Sequence, residues 1–241
     1  MVMRIGIIAE GFADANVIKP LVQKMTGCDR ADIYLLRPEE IFDETDLGVM
    51  SFSNWNLVFE SCKDEALLAA FFEEIEGDAI LVVHIDTAER GSKGYDVNEP
   101  QRSRGVDYSE YSVLLRGNVK SKIESMIAEP YRNRIAYAIA IEETEAWMIP
   151  MFDKGDGDTS SHVRAKERLS SLIGADKKNV KKYTDTRHKS LDYLKLGKDL
   201  IKDLNRCRNR NKSLDLFCVD IESRFQRATL IDNTKLFYSD K

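Results

Sequence analysis

The stretch Ala79-Ile80-Leu81-Val82-Val83-His84-Ile85-Asp86 decides the fold that this sequence predicts. Its almost unbroken apolar run is typical of a strand buried on both faces, as in parallel sheets covered by helices. A helical pattern over residues 64–76 leads directly into it. A helix that feeds a buried strand favours βαβ units, and these imply a mostly parallel sheet with right-handed crossovers.

Two further apolar runs end in carboxylates. Residues 4–9 lead into Glu10, with Asp14 close behind, and residues 135–141 lead into Glu142-Glu143-Thr144-Glu145. The carboxyl ends of parallel strands share one edge of the sheet, where ligands bind. Carboxylates gathered at that edge repel one another unless a hard cation neutralises them, and Mg²⁺ or Mn²⁺ prefers oxygen ligands. The sequence therefore predicts a metal-dependent α/β enzyme that acts on phosphates.

The chain is expected to have two parts. Residues 1–153 would form an α/β domain with a mostly parallel central sheet of about four strands and flanking helices. Residues 154–159 have the composition of a linker, and residues 154–241 show helical patterns only. The other predicted segments are a helix over 13–25 that Pro20 kinks or breaks, a strand over 32–38, a helix over 111–128, and helices over 160–173, 187–206 and 213–226.

Charge is distributed unevenly along the chain. The net charge is −5, yet residues 161–212 hold 16 Lys and Arg against 6 Asp and Glu. A basic segment in an acidic chain suggests contact with a polyanion, and nucleic acid is the expected partner. The alternative is a Lys-rich helical surface that is simply solvated, and the sequence leaves both interpretations open.

Several classes of protein are disfavoured. The apolar runs fall well short of the roughly 18 residues that a membrane helix needs. The N-terminus enters the first strand without a signal peptide, and the four cysteines form no CxxC pair. We therefore expect a cytoplasmic protein with reduced thiols and no membrane contact. Gly91-Ser92-Lys93-Gly94 does not have the Walker A spacing, so any ATPase partner is expected to be a separate chain.

Each motif also has a purely structural interpretation. Asp14 can favour the dipole of the following helix, Asp86 can cap a loop, and the acidic run after residue 141 can begin a helix. His84 lies two residues before Asp86, so both side chains point to the same face of a regular strand. That spacing allows a shared His–carboxylate site. A satisfied buried histidine is nevertheless favoured, because His84 lies one pleat deeper in the sheet.

Together, the motifs resemble those of Toprim-like domains, in particular standalone bacterial proteins related to the nuclease part of the overcoming-lysogenization-defect proteins. The resemblance is carried by Ile7-Ile8-Ala9-Glu10-Gly11 with Asp14, by the strand that ends in Asp86, and by Ile141-Glu142-Glu143-Thr144-Glu145-Ala146-Trp147. It covers residues 1–153, and the basic helical part carries no motif of the family.

The resemblance implies a nuclease with Mg²⁺ or Mn²⁺ as cofactor, which would polarise a phosphodiester and activate water. The catalytic residues would be Glu10, Asp86 and Glu143. The metal ligands would come from Glu10, Asp14, Asp86, Glu89, Glu143 and Glu145, with the choice between Glu143 and Glu145 open. Nucleic acid would be bound by Arg90, Lys93, Lys181, Lys182, Arg187, Arg206, Arg208 and Arg210. A role in phage defence or DNA maintenance, with a defence-system partner, is implied by the resemblance only, and a homodimer is left open.

One position departs from the Toprim pattern. The family usually carries Asp-x-Asp at the third-strand site, whereas this chain has Asp86-Thr87-Ala88 followed by Glu89. Either Glu89 substitutes, or the site holds one metal instead of two, or the activity is impaired. The rival hypotheses are a catalytically degenerate module that binds nucleic acid or protein, and a phosphatase or phosphotransferase for small molecules.

Overall fold

The computed structural model of the chain describes residues 3–39, 54–73, 78–102, 108–185 and 190–238, with the backbone alone at 108 and 228–238. One parallel sheet is formed by β1 (Arg4–Ile8), β2 (Ile33–Arg37), β3 (Ala79–Asp86) and β4 (Ile135–Ala140). The order across this sheet is β2-β1-β3-β4. The predicted α/β fold with a central parallel sheet is confirmed.

Helices cover both faces of this sheet. In chain order they are α1 (Phe12–Thr26), α2 (Trp55–Lys63), α3 (Glu65–Glu73), α4 (Tyr108–Met126), α5 (Ala165–Gly174), α6 (Lys177–Tyr183), α7 (Tyr193–Leu200), α8 (Leu204–Arg210) and α9 (Lys212–Tyr238). A small antiparallel pair, β5 (Thr184–Asp185) and β6 (Ser190–Leu191), precedes α7. Within the part of the chain that the structure describes, no helix is both long and apolar enough to cross a membrane.

The alternation of side chains along β3 divides the core into two layers. Ile80 and Val82 face the layer that holds α1, α7 and α9. Leu81 and Val83 face the layer that holds α2, α3 and α4. Successive residues of a strand point to opposite faces, so the apolar run of β3 is buried on both sides. His84 continues the row of Ile80 and Val82 and therefore faces the layer of the C-terminal helices.

The C-terminal helices share a core with the sheet. Leu200 of α7 and Ile221 of α9 lie in the same buried cluster as Val82 of β3. The predicted helical character of the C-terminal part is confirmed. The domain boundary at residue 153 stays a prediction.

The predicted single helix over residues 187–206 is wrong in its described part. β6 ends at Leu191, α7 ends at Leu200, and α8 begins only at Leu204. The physical reason lies in a helix cap inside the pattern, since the carboxylate of Asp192 accepts a hydrogen bond from the N–H of Lys195 and begins α7 there. Hydrophobic spacing alone does not mark such a start. The helix α2 was also not predicted.

Pro20 does not break α1, which runs from Phe12 to Thr26. Proline has no N–H, so the carbonyl of Asn16, four residues earlier, receives no helical hydrogen bond from it. α7 passes α1 at this point with Gly197, where an added Cβ would lie 2.6 Å from the carbonyl oxygen of Asn16. The close approach of the two helices therefore requires glycine at position 197.

Candidate metal centre

Three side chains converge at the carboxyl edge of the sheet. Asp14, His84 and Asp86 each offer one ligand atom, and these atoms lie within 4.8 Å of one another. Asp14 lies in the first turn of α1, which follows β1. His84 and Asp86 lie at the carboxyl end of β3. β1 and β3 are hydrogen-bonded neighbours, so their carboxyl ends bring the three groups together.

Glu10 borders this cluster. Its Oε1 accepts a hydrogen bond from the backbone N–H of Asp86 at 2.6 Å. Burial, and then the charge of Asp86, raise the pKa of Glu10 to about 8. Burial also raises the pKa of Asp86. The ionised forms of Glu10 and Asp86 are thus disfavoured when no metal is bound, and a bound cation would favour them.

His84 is fully buried beside the carboxylates. Its Nε2 lies 2.8 Å from Thr144 Oγ1 and 3.5 Å from Asp86 Oδ1. The Thr144 hydroxyl donates to Asp86 Oδ1 at 2.9 Å, so it accepts from the Nε2–H of His84. Burial alone lowers the pKa of His84, but the carboxylates of Asp14, Asp86 and Glu10 raise it to about 9.

This donor set fits a divalent cation. Two carboxylates with one imidazole favour a transition metal such as Mn²⁺ over Mg²⁺, which prefers oxygen ligands alone. The buried Nδ1 of His84 has no hydrogen-bond partner among the described residues. A histidine that ligates a metal must be neutral, whereas a protonated His84 would itself balance the carboxylates. Cation binding and protonation of His84 are therefore alternatives.

Within the acidic run after residue 141, Glu145 is the carboxylate whose pKa is affected by the charges of Asp86 and Asp14. It is buried, and it accepts a hydrogen bond from the hydroxyl of Tyr193 in α7. Burial, followed by the charges of Asp86 and Asp14, raises the pKa of Glu145 to about 7. Its carboxylate is not among the three groups that lie within 4.8 Å of one another.

Glu143, predicted as catalytic, lies elsewhere. Its Oε2 accepts a hydrogen bond at 2.9 Å from the backbone N–H of Lys166, in the first turn of α5. This contact satisfies one of the N–H groups that a helix leaves unpaired at its start. The structure thus places Glu143 at a helix N-terminus and does not bring it into the group of Asp14, His84 and Asp86.

Glu142 anchors the loop that follows β3. Its buried carboxylate forms ion pairs with Arg90 at 3.0 Å and with Arg102. Its backbone has φ +63°, in the left-handed region that favours glycine. Arg90, predicted to bind nucleic acid, is therefore engaged within the protein. Glu89 and Lys93, two other predicted site residues, are exposed in the same loop.

The predicted nucleic-acid contacts in the C-terminal part are largely engaged in ion pairs. Arg208 pairs with Asp215 at 3.1 Å and with Glu222 at 3.2 Å. Arg210 is buried and pairs with Asp153 at 2.7 Å. These arginines hold α8 to its neighbours, which favours the structural interpretation of their charge.

The remaining predicted contacts differ among themselves. Lys182 pairs with Asp199 at 2.6 Å, and Arg206 donates to a backbone carbonyl at 2.7 Å. Lys181 is exposed, with no ion pair to another described residue. Arg187 lies outside the described residues. Their role in binding stays a prediction.

Sequence reasoning did not assign three residues of the site. His84 was expected to be structural, although its spacing from Asp86 is the signal that places both side chains on one face. Thr144, which lies within the acidic run after residue 141, bridges these two residues. Tyr193 had no local signal at all, because only the packing of α7 brings it to Glu145.

Comparison of the chain with protein-family models, with curated proteins and with solved structures gives no match.

Proposed function

We propose that this chain is a metal-dependent enzyme that cleaves phosphodiesters in nucleic acid. The observation that carries the proposal is the convergence of Asp14, His84 and Asp86 within 4.8 Å at the carboxyl edge of a parallel sheet. The resemblance to Toprim-like nucleases suggests the substrate class. The three groups suit one ion, which agrees with Ala88 in place of a second aspartate. The donor set favours Mn²⁺ over Mg²⁺.

The residues around the ligands divide the remaining tasks. A divalent cation, when bound, would supply polarisation of a phosphoryl oxygen and a lowered pKa of water. Glu145, whose pKa burial raises to about 7, is suited to accept a proton from the attacking water near neutral pH. The hydroxyl of Tyr193 holds that carboxylate in place. Glu10 orients the end of β3 through the N–H of Asp86.

A second candidate is a non-catalytic module that kept the fold. The observation that favours it concerns His84. Burial lowers the pKa of this histidine, but the surrounding carboxylates raise it to about 9. A protonated His84 would act as an internal counter-charge, and no metal would then be needed. The two candidates differ in whether a divalent cation binds at neutral pH.

Metal binding is the first test. Wild type and Asp86→Asn are titrated with Mn²⁺, and the free ion is followed by electron paramagnetic resonance, with circular dichroism to verify folding. Asp156→Asn is the matched control, because Asp156 is exposed. The proposal predicts about one ion per chain in wild type and in the control, and at least tenfold weaker binding in Asp86→Asn. Absence of binding in wild type would favour the non-catalytic module.

Cleavage is the second test. A panel of labelled DNA and RNA is incubated with Mn²⁺, with Mg²⁺ and with EDTA, using the same three proteins and Asp14→Asn. We expect cleavage by wild type and Asp156→Asn only, with Mn²⁺ more effective than Mg²⁺. Cleavage that survives in EDTA or in both ligand variants would refute the proposed site.

A further inference from the structure

A second feature of the molecule is a cationic groove between α1 and α7. Its volume is about 260 Å³. Three cationic side chains line it, Lys19 and Lys198 on the two helices and Arg30 beyond the end of α1, together with the side-chain amides of Asn16 and Gln23. None of the described residues that line the groove is acidic. Cations and amide donors without a carboxylate form a surface that recognises an anion.

The acid within α7, Asp199, and the acid that caps it, Asp192, are already engaged. Asp199 pairs with Lys182 at 2.6 Å and also with Lys202, and Asp192 pairs with Lys195 at 2.8 Å. Lys198 is exposed and forms no ion pair with another described residue. The positive charge of the groove is therefore not neutralised by the acids of α7.

Arg30 supplies a further positive charge to the groove. It is exposed, and within the described ranges no acidic side chain pairs with it. The apolar side chains of Ile33, Leu194 and Ile201 complete the lining. An anion with an attached apolar or ring-shaped body would thus find both charge and contact surface.

The two helices that line the groove meet at Gly197 without an intervening side chain. An added Cβ on Gly197 would lie 2.6 Å from the carbonyl oxygen of Asn16 and 3.0 Å from the Cα of Val17. Asn16 and Gln23 are seven residues apart, so the α1 wall is about 10 Å long. A cavity of about 260 Å³ lies slightly below the usual range for drug-sized ligands, and it suits one phosphate with its sugar.

The groove is separate from the candidate metal centre. Side chains two positions apart on a helix project about 200° from each other, so Asp14 and Asn16 lie on opposite sides of α1. A ligand in the groove does not share side chains with Asp14, His84 and Asp86.

We propose that this groove binds a phosphate group, carried either by a free nucleotide or by the backbone of a single-stranded nucleic acid. Lys198, Arg30 and Lys19 supply the positive charge, and the side-chain amides of Asn16 and Gln23 supply further hydrogen-bond donors. The proposal does not depend on the metal centre, because binding here requires no cation and no catalysis.

The test uses the full chain in EDTA, which removes any contribution of a bound metal. Binding of a labelled single-stranded oligonucleotide is measured by fluorescence anisotropy over a salt series. Binding of AMP and of inorganic phosphate is measured by calorimetry. The groove variant is Arg30→Gln with Lys198→Gln. The control with the same change of charge is Lys24→Gln with Lys178→Gln, because both lysines are exposed outside the groove.

We expect the groove variant to lose at least tenfold in affinity for the probe that wild type binds, and the control to lose less than threefold. For the oligonucleotide, loss of two phosphate contacts lowers the slope of log affinity against log salt by about 1.4. Binding of AMP or phosphate identifies a free ligand, and binding of the oligonucleotide alone identifies backbone phosphates. Equal losses in both double variants, or no binding of any probe by wild type, would overturn the proposal.

Asp86→Asn separates this proposal from the proposed enzymatic function. It is expected to retain phosphate binding in EDTA while it loses metal binding. Loss of phosphate binding in folded Asp86→Asn would place the ligand at the metal centre and would contradict the groove.

Discussion

The carboxylate of Glu10 accepts a hydrogen bond from the backbone N–H of Asp86, with 2.6 Å between the heavy atoms. This bond ties the carboxyl ends of β1 and β3 together. Asp86 is held from two further sides, since Tyr95 donates to its carbonyl at 2.9 Å and Thr144 donates to its carboxylate at 2.9 Å. The central ligand of the candidate site is therefore fixed by groups outside the set of three, as is common around metal ligands.

Replacing Glu10 separates its charge from its hydrogen bond. Glu10→Gln retains an oxygen that accepts from the N–H of Asp86, and we expect a stability within about 1 kcal/mol of wild type. Glu10→Ala leaves that N–H without its partner and should lower the free energy of unfolding by about 1–3 kcal/mol. Urea denaturation at pH 7.5 in EDTA measures both values. Equal stability of the two variants would contradict a structural role for the bond.

The metal-free protein should lose stability as the pH rises. Folding raises the pKa of His84 from 6.5 to about 9, so its contribution is complete below pH 6.5 and is lost as the pH approaches 9. The pKa of Glu10 is raised from 4.5 to about 8, so its folded state retains a proton that the unfolded chain has released, and stability falls across that range too. We expect a loss on the order of 1–3 kcal/mol between pH 6 and pH 9, measured by urea denaturation in EDTA.

Two variants test the origin of this slope. His84→Asn should reduce the slope between pH 6.5 and 9 without abolishing it, because one of the two titrating groups is gone and Glu10 remains. His162→Asn should keep the wild-type slope, since His162 is exposed and far along the chain from the cluster. Mn²⁺ should restore stability at pH 9, where His84 is neutral and able to ligate. If the stability of wild type did not change between pH 6.5 and 9, the carboxylates would not raise the pKa of His84.

The sheet was predictable because β1, β3 and β4 are largely apolar and buried. The run over 79–86 is buried on both faces, and such a run admits few other structures. The helices after residue 160 were less predictable, because their ends are set by caps such as Asp192 and by a left-handed residue, Arg164, before α5. Caps and single backbone conformations leave little trace in hydrophobic spacing.

The site was predictable in part for the same reason. Strand ends gave Glu10, Asp14 and Asp86, which the structure brings to one edge. The roles of neighbouring glutamates were not predictable, because Glu143 meets the start of α5 whereas Glu145 meets Tyr193 of α7. Tertiary contacts decide these roles, and a single sequence contains no local signal for them.

Glu142 should hold the loop after β3 through its ion pairs, although its left-handed backbone conformation is unfavourable for a residue other than glycine. Glu142→Gln leaves Arg90, a largely buried arginine, with a weaker partner, and we expect a loss of about 2–3 kcal/mol in unfolding free energy. Glu142→Gly removes the same charge but relieves the left-handed backbone, so it should be about 1 kcal/mol more stable than Glu142→Gln. Urea denaturation measures the difference, with the exposed Glu129→Gln as control. A neutral effect of Glu142→Gln would mean that the ion pairs contribute nothing.

The contact between α1 and α7 should be intolerant of one methyl group. Gly197→Ala would place a Cβ 2.6 Å from the carbonyl oxygen of Asn16 and 3.0 Å from the Cα of Val17. Both neighbours are backbone, so the helices must separate, and overpacking of this kind destabilises by about 1–3 kcal/mol. Gly117→Ala in α4 is the matched control, because its Cβ would meet nothing within 4 Å. That variant should gain up to about 1 kcal/mol from helix propensity alone.

Gly197→Ala is expected to lower the stability and Gly117→Ala to raise it, so the comparison separates the packing effect from helix propensity. Thermal unfolding at one pH and one salt concentration suffices to measure them. Separation of α1 from α7 also displaces Lys198 relative to Lys19, so Gly197→Ala should weaken phosphate binding in the groove between the helices. It should equally loosen the hydrogen bond from Tyr193 to Glu145 and lower any cleavage rate. If Gly197→Ala were as stable as Gly117→Ala, the two helices would not be in the close contact on which both sites depend.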